Sequence, residues 1–367
     1  MRVVQFLRDG GTLETLTARY AIKARRHEVF PNLVLLKYNQ IDSLFSEPIV
    51  RECRGVVLDE ADGWRVVSRS FDKFFNYGEG HAASIDWPTA RVQEKLDGSL
   101  CSVYWYGGGW HVATTGTPDG SGPVGSLDLC FADLFWRTLG RDNLDHIPDA
   151  RGRTFMFELC TPHNRVIVPH RESRAVLLSV RDLDTMQEER PGNYADFFPV
   201  VREFPLGSFE EALATFATID PLRQEGYVVV DGHFNRVKVK HPGYVAIHHL
   251  KGEGVPTPKR FLEIARTGEG SELLAHFPEW ASDYEAVKAK YEALADELGR
   301  QFREISATST TQKEFALKAT KTRCSAALFA VRAGKSETVR GFLSSMRIEN
   351  LASALGLNEP TATTEAA

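Results

Sequence analysis

One short segment carries a lysine whose surroundings suit nucleophilic chemistry. The run Glu94-Lys95-Leu96-Asp97-Gly98-Ser99 lies where one predicted strand ends, and the next strand begins at Leu100. A lysine amine becomes more nucleophilic when desolvation or nearby cations lower its pKa, and it can then attack phosphorus to form a phosphoramidate. Gly98 lets the backbone approach a ligand closely because it has no Cβ. Taken alone, the segment is still more typical of a hairpin turn than of an active site.

Other charged residues accompany this lysine in a fixed order along the chain. They are Arg54, Lys73, Glu158, Glu225, Lys238 and Lys240. Lys238 and Lys240 alternate with valines, which places both on one face of a strand. A core strand rarely holds two lysines on one face unless an anion receives them. Each residue alone would be typical of a surface ion pair, whereas the ordered set favours a site for an anionic substrate.

The segments around these residues resemble the covalent nucleotidyltransferase superfamily of ligases and capping enzymes, and within it the phage-type RNA ligase 1 family. The marks of that family are the run K-F-F-N-Y-G-E at 73–79, the segment P-H-N-R at 162–165, and K-V-K at 238–240 followed by Y-V-A at 244–246. The resemblance covers about residues 50–250. It implies an ATP-dependent RNA ligase that joins a 5′-phosphate to a 3′-hydroxyl through lysyl-AMP and RNA-adenylate intermediates.

The resemblance also implies roles for the basic residues. Lys95 would be the nucleophile that takes AMP from ATP. Lys238 and Lys240 would neutralise the α-phosphate, and Arg54 and Lys73 would hold the β- and γ-phosphates. Positioning and charge neutralisation supply most of the catalysis in such phosphoryl transfers.

The acidic residues receive a second set of roles from the same resemblance. Glu94, Asp97 and Gly98 belong to the nucleotide-binding segment around the lysine. Glu158 and Glu225 would bind the ribose or the water shell of a divalent metal. Mg²⁺ suits oxygen ligands and retained waters, and Mn²⁺ is an alternative.

The sequence departs from the family pattern at one position. The family usually has a lysine before the glycine that follows the predicted strand 110–115, but this chain reads Thr114-Thr115-Gly116-Thr117. Either another basic residue substitutes for that cation or ATP binds more weakly. The glycine-rich run from Gly116 to Gly122 lacks the G-K-[ST] ending of a phosphate loop, and we expect a mobile surface turn there.

The elements that must position these residues are mostly short strands between about residues 30 and 240. Strands are predicted at 33–36, 55–58, 64–67, 100–105, 110–115, 154–158, 175–180, 227–230 and 237–240, with a hairpin turn at 107–109 and helices at 127–139 and 209–216. Strands with interspersed helices predict an α+β, antiparallel-sheet nucleotidyltransferase domain (an ATP-grasp-like ligase domain) at 1–251, with residues 1–49 as an extension.

A second domain is predicted at 252–357, with a linker rich in Gly and Pro at 252–258 and a helical pattern beyond it. Apolar residues from Tyr284 to Ile305 recur every three or four positions, as on one face of a long helix, and Ser282 with Glu285 predicts its capping box. Helices are also expected at 315–331 and 336–355, and a disordered tail at 358–367. Basic residues concentrate at 306–345. Lys318, Lys321 and Arg323 are the candidates for RNA contact, with a solvated helical face as the alternative.

Composition limits the class of protein. The 367 residues are 43% hydrophobic and 25% charged with a net charge of −5, so any nucleic-acid surface must be a local basic patch. Five scattered cysteines without a C-x-x-C pair argue against a zinc site or disulfides. No apolar stretch is long enough for a membrane span, and the first residues do not form a signal peptide. We therefore expect no membrane partner and a cytoplasmic location, in the host cytoplasm if the protein is phage-encoded.

Two other functions are compatible with the sequence. A DNA ligase or capping enzyme shares the nucleotidyltransferase domain, but an OB-fold normally follows it. A catalytically inactive relative would serve as an RNA-binding or partner-binding scaffold, although such a protein need not retain all the charged residues. The sequence does not identify the RNA substrate or the oligomeric state. The family resemblance favours repair of cleaved tRNA.

Overall fold

The structure is a computed structural model that describes residues 1–124, 127–164, 166–249, 257–276 and 278–357. The chain divides into two compact units, residues 1–248 and residues 249–367. The predicted domain boundary at 252, most of the predicted linker and the predicted tail at 358–367 lie outside the described residues.

The first unit contains strands with a few short helices between them. The described strands are β1 (Ile22–Arg26), β2 (Leu33–Tyr38), β3 (Arg54–Asp59), β4 (Arg65–Ser68), β5 (Phe75–Asn76), β6 (Arg91–Lys95), β7 (Ser99–Tyr106), β8 (Gly109–Thr114), β9 (Arg153–Cys160), β10 (Arg174–Asp182), β11 (Glu188–Glu189), β12 (Glu203–Phe204), β13 (Gly226–Val230) and β14 (Arg236–Lys240). The helices are α1 (Arg2–Arg8), α2 (Leu13–Tyr20), α3 (Pro48–Glu52), α4 (Phe131–Leu139), α5 (Phe209–Thr215) and α6 (Pro242–His249).

The strands form three sheets. Their orders are β1-β2-β3-β4, β11-β10-β9-β7-β8 and β12-β6-β13-β14-β5. The pairings are antiparallel except for the short parallel contact between β5 and β14. The predicted α+β class with antiparallel sheet is therefore confirmed.

Strand β2 shows how the first sheet is fixed against the second. Its four apolar residues are all buried, which is typical of a strand covered on both faces. Leu33 and Leu35 pack with Tyr104 and Ala113 of the β7–β8 hairpin. Val34 and Leu36 face the helical side, where α1 and α3 cover them. This packing holds the end of β2 beside the end of β8.

The start of helix α4 differs from the prediction of a helix from Leu127. The helix begins at Phe131, because Cys130 forms an isolated antiparallel bridge with Pro123 and then serves as the N-cap. Residues 125 and 126 lie outside the described residues.

The described residues of the second unit form helices and turns. The helices are α7 (Pro258–Thr267), α8 (Gly270–His276), α9 (Ala281–Ala307), α10 (Gln312–Ala319), α11 (Ser325–Arg332), α12 (Val339–Ser345) and α13 (Ile348–Ala354). The long helix predicted from the apolar repeat is α9. Its buried face includes Tyr284, Val287, Tyr291, Leu294 and Leu298.

Two details of this unit were predicted wrongly. The capping box at Ser282 is not formed, because a 3-10 turn at Pro278–Trp280 leads directly into the helix and Trp280 is the N-cap. The helices predicted at 315–331 and 336–355 are each two helices. Thr311 and Glu314 form a capping box for α10, and Thr338 caps α12.

Candidate active site

Lys95 is the last residue of β6, and the strand register decides what surrounds it. Gly226 of β13 pairs with Lys95 on one side and with Lys240 of β14 on the other. Cross-strand partners share a face of the sheet, so the two lysines stand on the same face with only a glycine between them. The Lys95 side chain is 19% exposed.

A single carboxylate joins these two lysines. Glu225, the residue before β13, places Oε2 2.6 Å from Lys95 Nζ and Oε1 3.3 Å from Lys240 Nζ. Its side chain is only 5% exposed, so both ion pairs are shielded from bulk water. Glu225 is therefore the residue that fixes the position of the Lys95 amine.

Lys238 lies two residues before Lys240 on the same face of β14. Its amine is 5.0 Å from the centre of the Phe74 ring. Burial lowers the pKa of Lys238 well below the ordinary lysine value, and the positive charges of Lys73, Arg54, Lys95 and Lys240 lower it further. Bringing an anion to this place would relieve that repulsion.

Glu158 faces Lys95 from the second sheet, on β9. Its Oε1 accepts a hydrogen bond of 3.1 Å from the backbone N–H of Gly98. Glycine is required there, because a Cβ would clash with the carbonyl of Leu159. Desolvation raises the pKa of Glu158 to about 7, with a further increase from the charge of Glu225, while Lys95 and Arg54 oppose the increase. Burial thus favours the neutral form of this carboxyl group more than water would.

A cavity of about 600 Å³ opens over these residues. The predicted site residues that line it are Arg54, Glu94, Lys95, Gly98, Glu158 and Lys238. Apolar side chains form another part of its wall, namely Phe71, Phe74, Leu96, Leu100, Phe131, Leu178 and Val228. A pocket with an apolar part and a concentrated set of cations suits a ligand that combines a flat ring system with phosphates.

Arg54 and Lys73 lie near Phe74 but in different surroundings. The guanidinium of Arg54 is 5.2 Å from the Phe74 ring centre, and its buried Nη1 has no hydrogen-bond partner among the described residues. Lys73 lines a neighbouring cavity of about 450 Å³, which shares Phe71 and Phe74 with the first cavity. Its amine is 4.8 Å from the ring centre of Phe45. The structure thus brings Arg54 to the Lys95 cavity and places Lys73 next to it.

Asp97 has a different environment from the other predicted residues. It is 4% exposed, and its Oδ2 accepts hydrogen bonds from the N–H groups of Ile167 (2.8 Å) and Val168 (2.6 Å). Its Oδ1 accepts one from the hydroxyl of Tyr244 (2.8 Å). The carboxylate is engaged within the protein, so we interpret Asp97 as a residue that holds the turn after Lys95 in place.

The P-H-N-R segment lies in the same region. Asn164 Nδ2 donates hydrogen bonds to Ser99 Oγ (3.0 Å) and to the carbonyl of Leu159 (2.7 Å). This ties the segment to β7 and β9. Arg165 lies outside the described residues.

The run from Gly116 to Gly122 is not the surface turn that was predicted, since Thr117, Pro118 and Gly120 are buried and the two end residues line the cavity. Thr117 within it is 4% exposed. Thr114 Oγ1 accepts hydrogen bonds from the N–H groups of Gly116 and Thr117, which closes the turn against the end of β8. A phosphate-loop pattern does not identify this segment, because its contribution to the cavity is backbone shape.

Sequence reasoning also missed Lys37, a residue of β2 that lines the cavity. It is more than fifty residues from Lys95 and belongs to none of the sequence motifs described above. A lysine directly after four apolar strand residues was the available signal.

The three candidate RNA contacts lie on or after α10 in the second unit. Lys318 Nζ donates to the carbonyl (2.7 Å) and the hydroxyl (3.0 Å) of Thr308, the C-cap residue of α9. Lys321 and Arg323 are exposed in the connection to α11. Lys318 therefore has a structural function that the other two do not share.

Comparison with known proteins identifies the family of this chain. The model of the phage-type RNA ligase family, described as RNA ligase, matches residues 52–244, which is more than half of the chain. The chain belongs to this RNA ligase family. The matched range contains every residue of the Lys95 cavity discussed above except Lys37.

Individual proteins that resemble this RNA ligase family member share only a minority of its residues. An RNA ligase of Rhodothermus phage RM378 is 27% identical over 64% of this chain and 67% of its own. A protein of Autographa californica nuclear polyhedrosis virus, named provisionally as a bifunctional polynucleotide kinase/RNA ligase, is 27% identical over 76% of this chain. The match spans 42% of that viral protein, less than half of its length. An archaeal ATP-dependent RNA ligase structure has 14% identity and a TM-score of 0.48, over 88% of this chain and 86% of its own.

Among the described residues, no helix is long and apolar enough to cross a membrane.

Proposed function

We propose that this protein is an ATP-dependent RNA ligase that joins RNA ends through a covalent AMP on Lys95. The observation that carries the proposal is the position of Lys95. Its amine lies at a cavity lined by Arg54 and Lys238, and Glu225 holds it at 2.6 Å. A nucleophile in a cation-rich, partly apolar pocket is what attack on a nucleoside triphosphate requires.

In the first step the Lys95 amine attacks the α-phosphorus of ATP. A nitrogen–phosphorus bond forms, the bond to the β-phosphate oxygen breaks, and pyrophosphate leaves. A protonated amine cannot attack, so Lys95 must lose a proton, and Glu225 Oε2 is the carboxylate oxygen placed to accept it. Lys238 and Lys240 neutralise charge that develops on the α-phosphate, and Arg54 offers its unpaired Nη1 to the other phosphates.

The next two steps use the same pocket. A 5′-phosphate oxygen of RNA attacks the phosphorus of lysyl-AMP, the nitrogen–phosphorus bond breaks, and the Lys95 nitrogen regains a proton. A 3′-hydroxyl oxygen then attacks the RNA 5′-phosphorus and releases its proton to solvent, while the bridging phosphorus–oxygen bond breaks and AMP leaves. Each step is an in-line displacement, in which positioning supplies much of the rate.

The carboxylates near Lys95 suit a divalent ion that is bound mainly by the phosphates of ATP. Among the described residues, no three His, Cys, Asp or Glu side chains form a group that could hold a metal ion. Mg²⁺ usually keeps several waters and is bound through phosphates and one or two carboxylates, and Mn²⁺ can use similar oxygen ligands. Glu158 can contribute to such a water shell, whereas both oxygens of Glu225 already contact lysines. The ion would neutralise phosphate charge.

The competing functions predict different behaviour. A capping enzyme would use GTP, and a DNA ligase would seal DNA ends. The described residues after 256 are helical, which does not favour the β-barrel that normally follows the catalytic domain in those enzymes. An inactive scaffold would have no reason to keep the Lys95, Glu225 and Lys240 ion pairs in a buried position.

Labelled nucleotide separates these functions. The protein is incubated with ATP or GTP labelled at the α-phosphate and run on a denaturing gel, and a nicked RNA stem-loop and its DNA counterpart are then offered for sealing. The RNA ligase proposal expects an AMP adduct and sealed RNA. A GMP adduct, sealing of DNA alone, or no adduct would contradict it.

We further propose that the substrate is a broken structured RNA with 5′-phosphate and 3′-hydroxyl ends, such as a tRNA cleaved in its anticodon loop. The exposed Lys321 and Arg323 of the helical unit support it, because structured RNA is recognised largely through phosphates and shape. Comparing the sealing rate of a cleaved anticodon stem-loop with that of unstructured RNA of equal length tests this, and equal rates would contradict it.

A further inference from the structure

The family resemblance described above implies a lysine at the position of Thr115, immediately before Gly116. Thr115 lines the Lys95 cavity with its neighbours Thr114 and Gly116. A threonine there cannot supply a positive charge, so any cation on this side of the cavity must come from another segment.

The end of strand β2 reaches this place. Leu33 and Leu35 face the β7–β8 hairpin, and alternation puts Lys37, two residues further, on the same side of the strand. Lys37 Nζ lies 3.9 Å from the position that a Cβ on Gly116 would occupy. The amine is therefore beside the backbone that follows Thr115.

A bulge in the first sheet supports this approach. Leu36 pairs with Val56, but Lys37 pairs with Arg54, so Gly55 is the extra residue. Gly55 has a φ of +84°, and a Cβ there would lie 3.0 Å from the Cα of Thr115. Only glycine allows β3 to pack this closely against the end of β8. The bulge thus places Lys37 and Arg54 side by side at the cavity wall.

Lys37 is a partly desolvated cation that no anionic side chain compensates among the described residues. Its side chain is half-buried and makes no ion pair or hydrogen bond with any described residue. Burial lowers the pKa of Lys37, and the positive charges of Lys23 and Arg54 lower it further. A cation that is desolvated and close to other cations is unfavourable unless a ligand compensates.

We propose that Lys37 supplies the cation that Thr115 lacks, and that it binds the phosphates of ATP from the β2 side of the cavity. This inference rests on the proposed function, because it assigns a further nucleotide-binding residue to the same pocket. Of the two alternatives for Thr115, Lys37 favours substitution by another basic residue over weaker ATP binding.

Kinetics of Lys95 adenylylation test the proposal. Lys37→Met should raise the KM for ATP about tenfold, as expected for one charge-assisted contact, while kcat changes less than about twofold. Adding Thr115→Lys to Lys37→Met should restore most of the affinity. Lys23→Met is the matched control, since Lys23 pairs with Lys37 across β1 and β2 but is exposed and outside the cavity lining.

The outcomes distinguish failure of the Lys37 proposal from failure of the proposed RNA ligase function. An unchanged KM in Lys37→Met, or an equal change in Lys23→Met, would overturn the proposal. If wild-type protein forms no AMP adduct, the proposed function fails instead. If Lys37→Met does not fold, the rate of chemical acetylation of Lys37 in the wild-type protein tests the proposal instead. An ATP analogue with an uncleavable α–β bond should slow that acetylation at least about fivefold, and no protection would refute the assignment.

Discussion

Lys95 Nζ and Glu225 Oε2 lie 2.6 Å apart, although 130 positions separate the residues in the chain. The pairing of β6 with β13 brings them together, because Gly226 stands opposite Lys95 and Glu225 precedes it. The same carboxylate reaches Lys240 at 3.3 Å, so one acidic group organises two of the three lysines on this face of the sheet. The nucleophile and one phosphate-binding lysine are thereby held by a shared partner.

The identity of the nucleophile gives the first prediction. Lys95→Arg should form no AMP adduct, because arginine stays protonated and cannot form the phosphoramidate. Lys240→Arg keeps the charge that neutralises the α-phosphate, so it should retain measurable adduct. Labelled ATP and a denaturing gel measure both variants. Retained labelling in Lys95→Arg would show that another residue carries AMP.

The shared carboxylate gives the second prediction. Glu225→Gln should lower the rate of adenylylation at least about tenfold, on the order of 1.4 kcal/mol of transition-state stabilisation, because Lys95 loses both its anchor and its proton acceptor. The control is Glu203→Gln on β12 of the same sheet, where the carboxylate pairs with Arg91 and is 45% exposed. Its activity should remain near wild type. If activity falls only in proportion to the loss of stability in urea, Glu225 is merely structural.

Side chains alternate between the two faces of a strand, which predicted that Lys238 and Lys240 share a face. The structure agrees, because this alternation depends only on the local backbone. The pairing of Glu225 with Lys95 and the approach of Lys37 depend on strand register and on a bulge at Gly55, which involve distant segments. Asp97 was assigned to the nucleotide-binding segment by the family resemblance. Its hydrogen bonds to Ile167, Val168 and Tyr244 could be found only after folding.

The raised pKa of Glu158 gives the third prediction, which concerns stability. The folded-state pKa is about 7, above the ordinary glutamate value, so the folded protein binds a proton that the unfolded chain releases. The resulting stabilisation is present at low pH and is lost as the pH rises through about 7. The free energy of unfolding of the wild type, relative to Glu158→Gln, should therefore fall between about pH 5 and pH 8.

Urea unfolding at several pH values measures this difference. The glutamine variant serves as the reference, because it cannot titrate at that position while other groups still do. Stability is a better measure than rate here, since adenylylation also requires the Lys95 amine to lose a proton. A constant difference between the two proteins across this range would show that the Glu158 carboxyl ionises like an exposed one.

The helical unit gives the last prediction. Lys321 and Arg323 are exposed, whereas Lys318 bonds to Thr308 at the end of α9 and its replacement would disturb that helix. The double variant Lys321→Glu, Arg323→Glu should form lysyl-AMP at the wild-type rate, because ATP is the only substrate of that step. Sealing of a nicked stem-loop should weaken by about tenfold or more, and RNA affinity should depend less steeply on salt as phosphate contacts are lost.

The control for this test is Lys290→Glu, Arg300→Glu, which changes the charge of the same unit by the same amount on exposed positions of α9. A general electrostatic effect would weaken RNA binding equally in both double variants, because both make the unit more acidic. A specific contact would affect only the variant in the α10–α11 connection and would reduce the salt slope by about one to two. If that variant seals the stem-loop as well as wild type at every salt concentration, Lys321 and Arg323 belong to a solvated face and RNA binds elsewhere.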